Sequence, residues 1–585
     1  MICKFLVARA HVREHFIESI LMNIKITNDL LYADKPDGVS THAPSPERRG
    51  FVEYLEQKLG RKLFIVHRLD QTTSGAMVFA LSAEKAEEIR QLFVRGEVKK
   101  KYRFLTDRQS AEASFSVRSE IHRQGQRWMS DPRSAQPKAK TSFQRIKRSP
   151  FFELWEAQPT TGKAHQIRLH ARDLGLPILG DPIYGGTPFP RLCLHSLSLQ
   201  LGVEPLWECP PPRIFERLGL LRDISLASLV TEIDRRQRLF NFLSNPEQCY
   251  CLIDREDLAL ELLGPQLWVS WFIATEPSAQ DLERLAFVGR LLDRPLLVQP
   301  RPDRGRSPGP TRKSEIGIVP ESWTAKEGAF TFKLQKSSGE SSGLFLDQRA
   351  QREQLFQRAQ GKRVLNLFAY TGGFSVAAIK GGATCVTHVD LNPNANAWAE
   401  ENLRLNGLPG GLPGGESEVE FFDSDVFFFL DRAMKKGRQW DLIVCDPPVF
   451  SRSAGRQPSR SVFRIEKDLQ RLLEGCRQVL APQGSVLFST HFTHWTAEEL
   501  RGFLETSFPQ ANIRANVTDW DFSEAHPLKS FWIEFAEPVR PVPQGLKQQR
   551  EALREKQGPP RERRKQRGRG EPREKSPEKR RKQQR

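Results

Sequence analysis

The stretch from Arg363 to Phe450 constrains the fold of this chain more than any other. Arg363-Val364-Leu365-Asn366-Leu367 is an apolar run. Phe368-Ala369-Tyr370-Thr371-Gly372-Gly373 and helical patterning to Ala378 follow, which reads as buried strand, glycine-containing turn and helix start. A second run, Cys385 to Val389, ends in Asp390, a carboxylate placed to accept from both ribose hydroxyls of a nucleoside cofactor. A third ends near Asp423, with Asp425 available to an adenine amino group, and a fourth, Trp440 to Cys445, delivers Asp446-Pro447-Pro448. Acids at the ends of successive strands predict an open, doubly wound α/β sheet with its site along the carboxyl edge. A lone Gly-Gly turn would say little; the order and spacing of the acids carry the reading.

At 585 residues the chain is too long for one core. Composition shifts divide it into an N-terminal extension (1–21), a first catalytic unit (22–205), a linker with a small α/β unit (206–325), the doubly wound unit (326–536) and a basic tail (537–585). Its net charge is +18, of which residues 547–585 carry +11. Such a tail, without aromatics or periodicity, is expected to be disordered and to favour polyanions through counterion release. The loop Arg301 to Lys313 is basic too and reads as solvated. Eight scattered cysteines without a CxxC pair fit a reduced, cytoplasmic protein and offer no zinc ribbon or other metal-ligand cluster. The first twenty-one residues, with Arg9, His11, Arg13, Glu14 and His15, make a poor signal peptide, and no apolar run is long enough to span a membrane.

A second site is written into His67-Arg68-Leu69-Asp70-Gln71-Thr72-Thr73-Ser74-Gly75. Leu63 to Val66 reads as a buried strand, and continuing its period of two puts Arg68 and Asp70 on one face with His67 and Leu69 on the other. Before the turn Thr72–Gly75 and the apolar run Ala76–Leu81, Asp70 then sits at a strand end. Spacing alone fits a surface Arg-Asp pair equally well. Around it, Leu30 to Val39 predicts a strand running into a Pro-Gly turn, Phe51 to Leu59 a helix closed by Gly60, and Ala83 to Phe93 another helix. Gly96 to Phe104 carries three lysines before Tyr102. Thr160 and Thr161 are N-cap candidates for a helix that puts His165, Arg168, Leu169 and Arg172 on one face.

The HRLD-x-x-TSG stretch resembles the catalytic motif of RluA-family pseudouridine synthases, and Gly162-Lys163-Ala164-His165-Gln166-Ile167-Arg168-Leu169-His170 resembles a second family motif. The resemblance implies an α+β domain with a mixed or antiparallel sheet. It also implies breakage of the N-glycosidic bond of a uridine flipped from RNA, rotation of the uracil and reattachment through C5, without a cofactor. Asp70 is then the nucleophile or its equivalent, Tyr102 stacks on the base and is a candidate to move the sugar proton that some mechanisms require, Arg168 holds and aims the Asp70 carboxylate, and Arg68 fills the gap the base leaves. Lys163, where arginine is commoner, and His165 are expected to contact RNA.

The doubly wound unit resembles class I S-adenosylmethionine-dependent methyltransferases. Ser342-Gly343-Leu344-Phe345-Leu346-Asp347-Gln348-Arg349 ahead of the glycine turn resembles bacterial large-subunit ribosomal RNA methyltransferases. This implies cofactor contacts from Asn366, Phe368, Tyr370, Thr371, Gly372, Gly373, Asp390, Asp425, Asp446 and Arg349, with Asp446 also catalytic. A C5-methylcytosine enzyme needs a cysteine nucleophile; the matching stretch here is Phe488-Ser489-Thr490-His491. The Asp446-Pro447-Pro448-Val449-Phe450-Ser451 pattern, completed by Ser453, is closer to the branch methylating guanine N7, with His491 and His494 structural. The expectation is a bifunctional enzyme acting on RNA, 23S ribosomal RNA foremost. Its rivals are a chain with one catalytic and one RNA-binding domain, and a methyltransferase with a non-RNA substrate.

Overall fold

Leu30–Lys35 and Ser74–Ala80 are buried at every position, as strands enclosed on both faces must be. They pair antiparallel inside a sheet that has eleven strands among the described residues. The computed structural model describes residues 24–45, 48–301, 313–336, 341–408, 418–452, 462–516 and 518–535. The expected N-terminal extension, the interior of the basic loop, Ser453 and the basic tail lie outside them. Leu194–Leu201 runs parallel to Ser74–Ala80 and antiparallel to Val98–Thr106; Glu153–Pro159, Ala139–Arg148, Ser114–Gln124 and Arg127–Asp131 continue the sheet. The sheet is mixed, and helices Phe51–Leu59, Ala83–Arg95 and Gln166–Asp173 complete an α+β unit. The first of these ends where the sequence predicts, with Gly60 in the left-handed region at φ 64°.

Several local expectations are corrected. The strand before Asp70 is only Phe64–Ile65, so residues 66–70 lie outside any strand, although Leu69 still faces inward and Arg68 outward. The helix expected from Thr160 begins at Gln166, because His165 takes φ 54° and cannot belong to it. Beyond the first unit the chain runs through Arg213–Glu216, a 3-10 turn at Leu218–Arg222 and helix Ile224–Phe240.

The middle of the chain forms a five-stranded sheet, Cys249–Asp254, Leu258–Leu263, Gln266–Trp271, Leu296–Pro300 and Ser314–Ile316, with helix Ala279–Leu292 crossing between its parallel pair. After the hairpin Ser322–Glu327/Phe330–Gln335, the seven-stranded sheet runs in the order Glu418–Asp423, Cys385–Asp390, Arg363–Leu367, Trp440–Cys445, Leu480–Thr490, Lys529–Glu534, Asn512–Ala515. Its first five strands are parallel and Lys529–Glu534 is antiparallel to its neighbours, the doubly wound arrangement expected. Strand order reverses beside Arg363–Leu367, which opens a crevice at the carboxyl ends there.

The segment 518–526 ties these parts together. Arg49, just before helix Phe51–Leu59, donates to the carbonyls of Thr518 and Phe522 and lies 5.4 Å over the Trp520 ring, while Tyr54 packs 4.8 Å from the same ring. Arg236 on helix Ile224–Phe240 donates twice to the Asp521 carbonyl; the Asp521 carboxylate accepts from Cys251 N–H and from Arg349. These charges are buried, and removing one partner of a buried pair leaves an uncompensated charge at about 3–5 kcal/mol.

Candidate functional site

The Asp70 loop is held by its neighbours on both sides. The Thr41 hydroxyl bonds the Leu69 carbonyl at 3.0 Å, and the fully buried Lys35 ammonium donates to Pro36, Val39 and Gln71 carbonyls. Gly38 N–H donates to the Gln71 carbonyl as well. Immediately after the loop, Gly75 has φ 112°, and a Cβ there would stand 2.1 Å from the Ser196 carbonyl, so only glycine lets the two strands meet. Beside it the Ser74 hydroxyl bonds His195 and accepts from Arg191, which pairs with Asp37. Burial pushes the His67 imidazole down to about 3, so it is neutral and its Nε2 accepts from Val78 N–H.

Asp70, two-thirds buried, faces a cavity of about 640 Å3. Arg168 Nη1 lies 3.3 Å from its Oδ2 and His165 Nε2 lies 3.9 Å away. Arg168 is itself aimed by Asp181, which takes Nε and Nη2 at 2.8 Å each and also accepts from Ile183 and Tyr184 N–H. Tyr184 lies under the Arg168 guanidinium at 5.0 Å and its hydroxyl bonds His165 Nδ1 at 2.7 Å. Tyr102 lines the same cavity; burial, with the Asp70 charge adding, pushes its hydroxyl up to about 12. Arg68, Lys163 and His165 line it too, so it gathers every residue the sequence assigned to this site. Asp181, Tyr184, Lys35 and Thr41 had no assigned role. The first two stand in the Gly175–Gly185 stretch, whose Asp-x-x-Tyr spacing was the available sign.

The second cavity, about 440 Å3, opens at the carboxyl ends of the doubly wound sheet. Phe368, Tyr370, Thr371, Gly373, Asp390, Asp425 and Asp446 line it with Phe345, Phe427 and Pro447. The turn is strained: Phe368 and Tyr370 have φ 55° and 49°, a conformation costing of order 1–3 kcal/mol per residue. Asp390 helps hold it, accepting from Tyr370 N–H at 2.8 Å, and burial raises its carboxyl. Asp425 caps helix Val426–Lys435 through Oδ1. The motif segment reaches this turn directly: Thr371 donates to the Gly343 carbonyl, and a Cβ on Gly343 would stand 2.2 Å from the Trp398 ring.

Three residues assigned to the cofactor do not line the cavity. Asn366 donates to the Ser375 hydroxyl, and Gly372 caps helix Gly373–Lys380 where a Cβ would stand 2.8 Å from that of Ala399. Arg349 is buried against Asp519, Asp521 and the Cys249 carbonyl. Arg352, Gln348 and His491 line the cavity instead. Burial pushes the Asp446 carboxyl up to about 6, against the pull of His491. His491 bonds Asp347, which also meets His526, so it belongs to a side-chain cluster in the cavity wall; His494 is exposed beside Glu466. Cys445 is buried, its thiol pushed well above the ordinary range by burial.

Two family models match this chain: RNA pseudouridylate synthase over residues 29–173 and S-adenosylmethionine-dependent methyltransferase over residues 298–494. The chain therefore carries a pseudouridylate synthase domain followed by a methyltransferase domain. Among its relatives, ribosomal RNA large subunit methyltransferase K/L of Dichelobacter nodosus is 37% identical over 226 residues, 39% of this chain and 28% of that protein. Ribosomal RNA large subunit methyltransferase K of Neisseria meningitidis serogroup B is 31% identical over 239 residues, 41% of this chain and 62% of that protein. The chain thus spans less than two thirds of the length of either. Human RNA pseudouridylate synthase domain containing 1 is a similar solved structure, at 23% identity and TM-score 0.29, covering 32% of this chain and 82% of that one.

Proposed function

We propose that this chain is a bifunctional RNA-modifying enzyme that isomerises a uridine to pseudouridine and methylates a base in ribosomal RNA. The observation that carries it is the Asp70–Arg168 contact inside a cavity shared with Tyr102, in a chain whose second cavity gathers acids at strand ends. Asp70 attacks the flipped uridine, Tyr102 stacks on the base, and Arg68, Lys163 and His165 contact the RNA that gave it up. Extruding the base costs a few kcal/mol, offset by stacking and phosphate contacts.

The second cavity suits a nucleoside cofactor: its volume lies in the range of ligand pockets, its walls carry Phe345, Phe368 and Phe427, and Asp390 and Asp425 offer acceptors at successive strand ends. S-adenosylmethionine, when bound, supplies the electrophilic methyl group. Asp390 would hold its ribose, Asp425 its adenine, and the strained Phe368–Gly373 turn its amino acid end. Asp446 accepts from the N–H groups of the acceptor base and fixes its orientation, which is what methylation at a ring nitrogen requires. Guanine N7 is favoured over cytosine C5, because no cysteine lines the described cavity and Cys445 is buried as a thiol.

The test is mass spectrometry of ribosomal RNA nucleosides, with chemical tagging of pseudouridine, from a deletion strain complemented with wild type, Asp70→Ala or Asp446→Ala. Each variant is expected to restore only the modification it does not catalyse. If deletion removes only pseudouridine and no methylated base, the methyltransferase domain acts on another substrate or only binds RNA.

A further inference from the structure

His491, which lines the methyl-transfer cavity, belongs to a cluster that the proposed reaction does not use. Asp347, His491 and His526 come from three separate stretches of the chain, and their donor atoms all lie within 4.8 Å of one another. Asp347 Oδ2 is 3.1 Å from His526 Nε2 and bonds His491 Nε2 as well. The two imidazole planes stand at 85° with centroids 6.3 Å apart, so both Nε2 atoms point at the same carboxylate without their rings colliding.

We propose that Asp347, His491 and His526 form a binding site for one divalent transition-metal ion, which reaches the cavity through His491. Ligands about 2.1 Å from a metal stand roughly 3 Å from each other, which is the spacing found between His526 and Asp347. Two further observations point the same way. Asp347 Oδ1 is buried and has no hydrogen-bond partner, an unmet acceptor in a side chain that is only 9% exposed. His526 offers Nε2 to the cluster while Nδ1 bonds Asp254 Oδ2 at 3.0 Å, and Asp254 is in turn fixed by the Ser523 N–H and hydroxyl. A carboxylate behind a histidine sets the tautomer and ring orientation that a metal ligand needs.

Charge favours the same occupant. Glu261 and Asp446 lie within electrostatic reach of Asp347, with Arg301 and Arg352 offsetting them in part, so a cation that displaces the imidazole protons fits among these carboxylates. Two nitrogen donors and one carboxylate select zinc, iron, manganese, cobalt or nickel over magnesium and calcium, which prefer all-oxygen sites. Three protein ligands leave coordination positions open. Because His491 lines the cavity, the ion would present them where the acceptor base or its phosphate enters. The site stands whatever substrate the cavity takes.

The test uses the full-length protein, stripped with a chelator and titrated with Co2+ while its visible absorption is followed. One equivalent should bind and develop ligand-field bands. His526→Ala and Asp347→Asn should weaken binding at least about 100-fold, whereas His494→Ala, an exposed neighbour outside the cluster, should bind as wild type does. If those two variants unfold, X-ray absorption of the Co2+-loaded wild type decides, because two imidazole ligands support the site and oxygen ligands alone overturn it. Absence of stoichiometric Co2+ and Zn2+ binding to the wild type also overturns it and leaves the cluster a hydrogen-bonded ionic network.

Discussion

Tyr102 stands against Asp70 with a hydroxyl that burial keeps protonated to about pH 12. On the proposed reading it offers the base a neutral stacking face with a donor throughout any working range. Tyr102→Phe keeps the face and removes the donor. If the hydroxyl moves a proton during turnover, kcat for pseudouridine formation should fall by about 100-fold or more while RNA affinity stays within about threefold. Undiminished turnover would reduce Tyr102 to a packing role. Lys35, behind the same loop, makes a different prediction. Burial pushes its ammonium down to about 7 from an ordinary 10.5, against the pull of Asp37 and Asp70. The folded chain then binds fewer protons than the unfolded one between those limits. The buried charge costs stability below about pH 7, and that cost is relieved as pH rises. From pH 7 to 9, wild type should gain roughly 2 kcal/mol relative to Lys35→Met in urea unfolding. A flat difference would mean that the loop holds the ammonium charged.

At the scale of elements, the segment 518–526 joins the two catalytic parts. Arg49→Ala removes hydrogen bonds to Thr518 and Phe522 and the stacking on Trp520, and should cost about 1–3 kcal/mol. Because His526 lies in that segment and reaches the methyl cavity through Asp347, methyl transfer should fall more than pseudouridine formation. Equal losses would mean that the segment only glues the parts together. What the sequence revealed follows the same division. Helix Phe51–Leu59 was legible to the residue, because its apolar face and Gly60 are local signals. The start of helix Gln166–Asp173 was not, because Thr161 spends its hydroxyl on the Gln166 side chain and His165 turns the backbone. Arg349 was misplaced by its motif, since its partners Asp519 and Asp521 stand 170 and 172 residues further along the chain. The Asp347–His491–His526 cluster was beyond reach for the same reason.

For the whole molecule, charge separates binding from chemistry. Residues 547–585 carry a net +11. Their removal should weaken RNA binding and shallow its salt dependence, by about 0.7–0.9 in log–log slope for each phosphate that is no longer neutralised, while turnover at saturating RNA stays nearly unchanged. A large drop in that turnover would show that the tail reaches into a site.

The pairing of Arg49 with Thr518 spans 469 residues and sets an order of assembly during synthesis. At about 5–20 residues per second, the ribosome delivers Trp520 roughly 20 to 90 s after the helix it covers. The pseudouridylate synthase domain is thus made first and sealed last. Throughout that interval the side of Tyr54 that meets Trp520 stays bare, a surface for chaperones to shield and a reason for nascent chains stalled before residue 518 to aggregate.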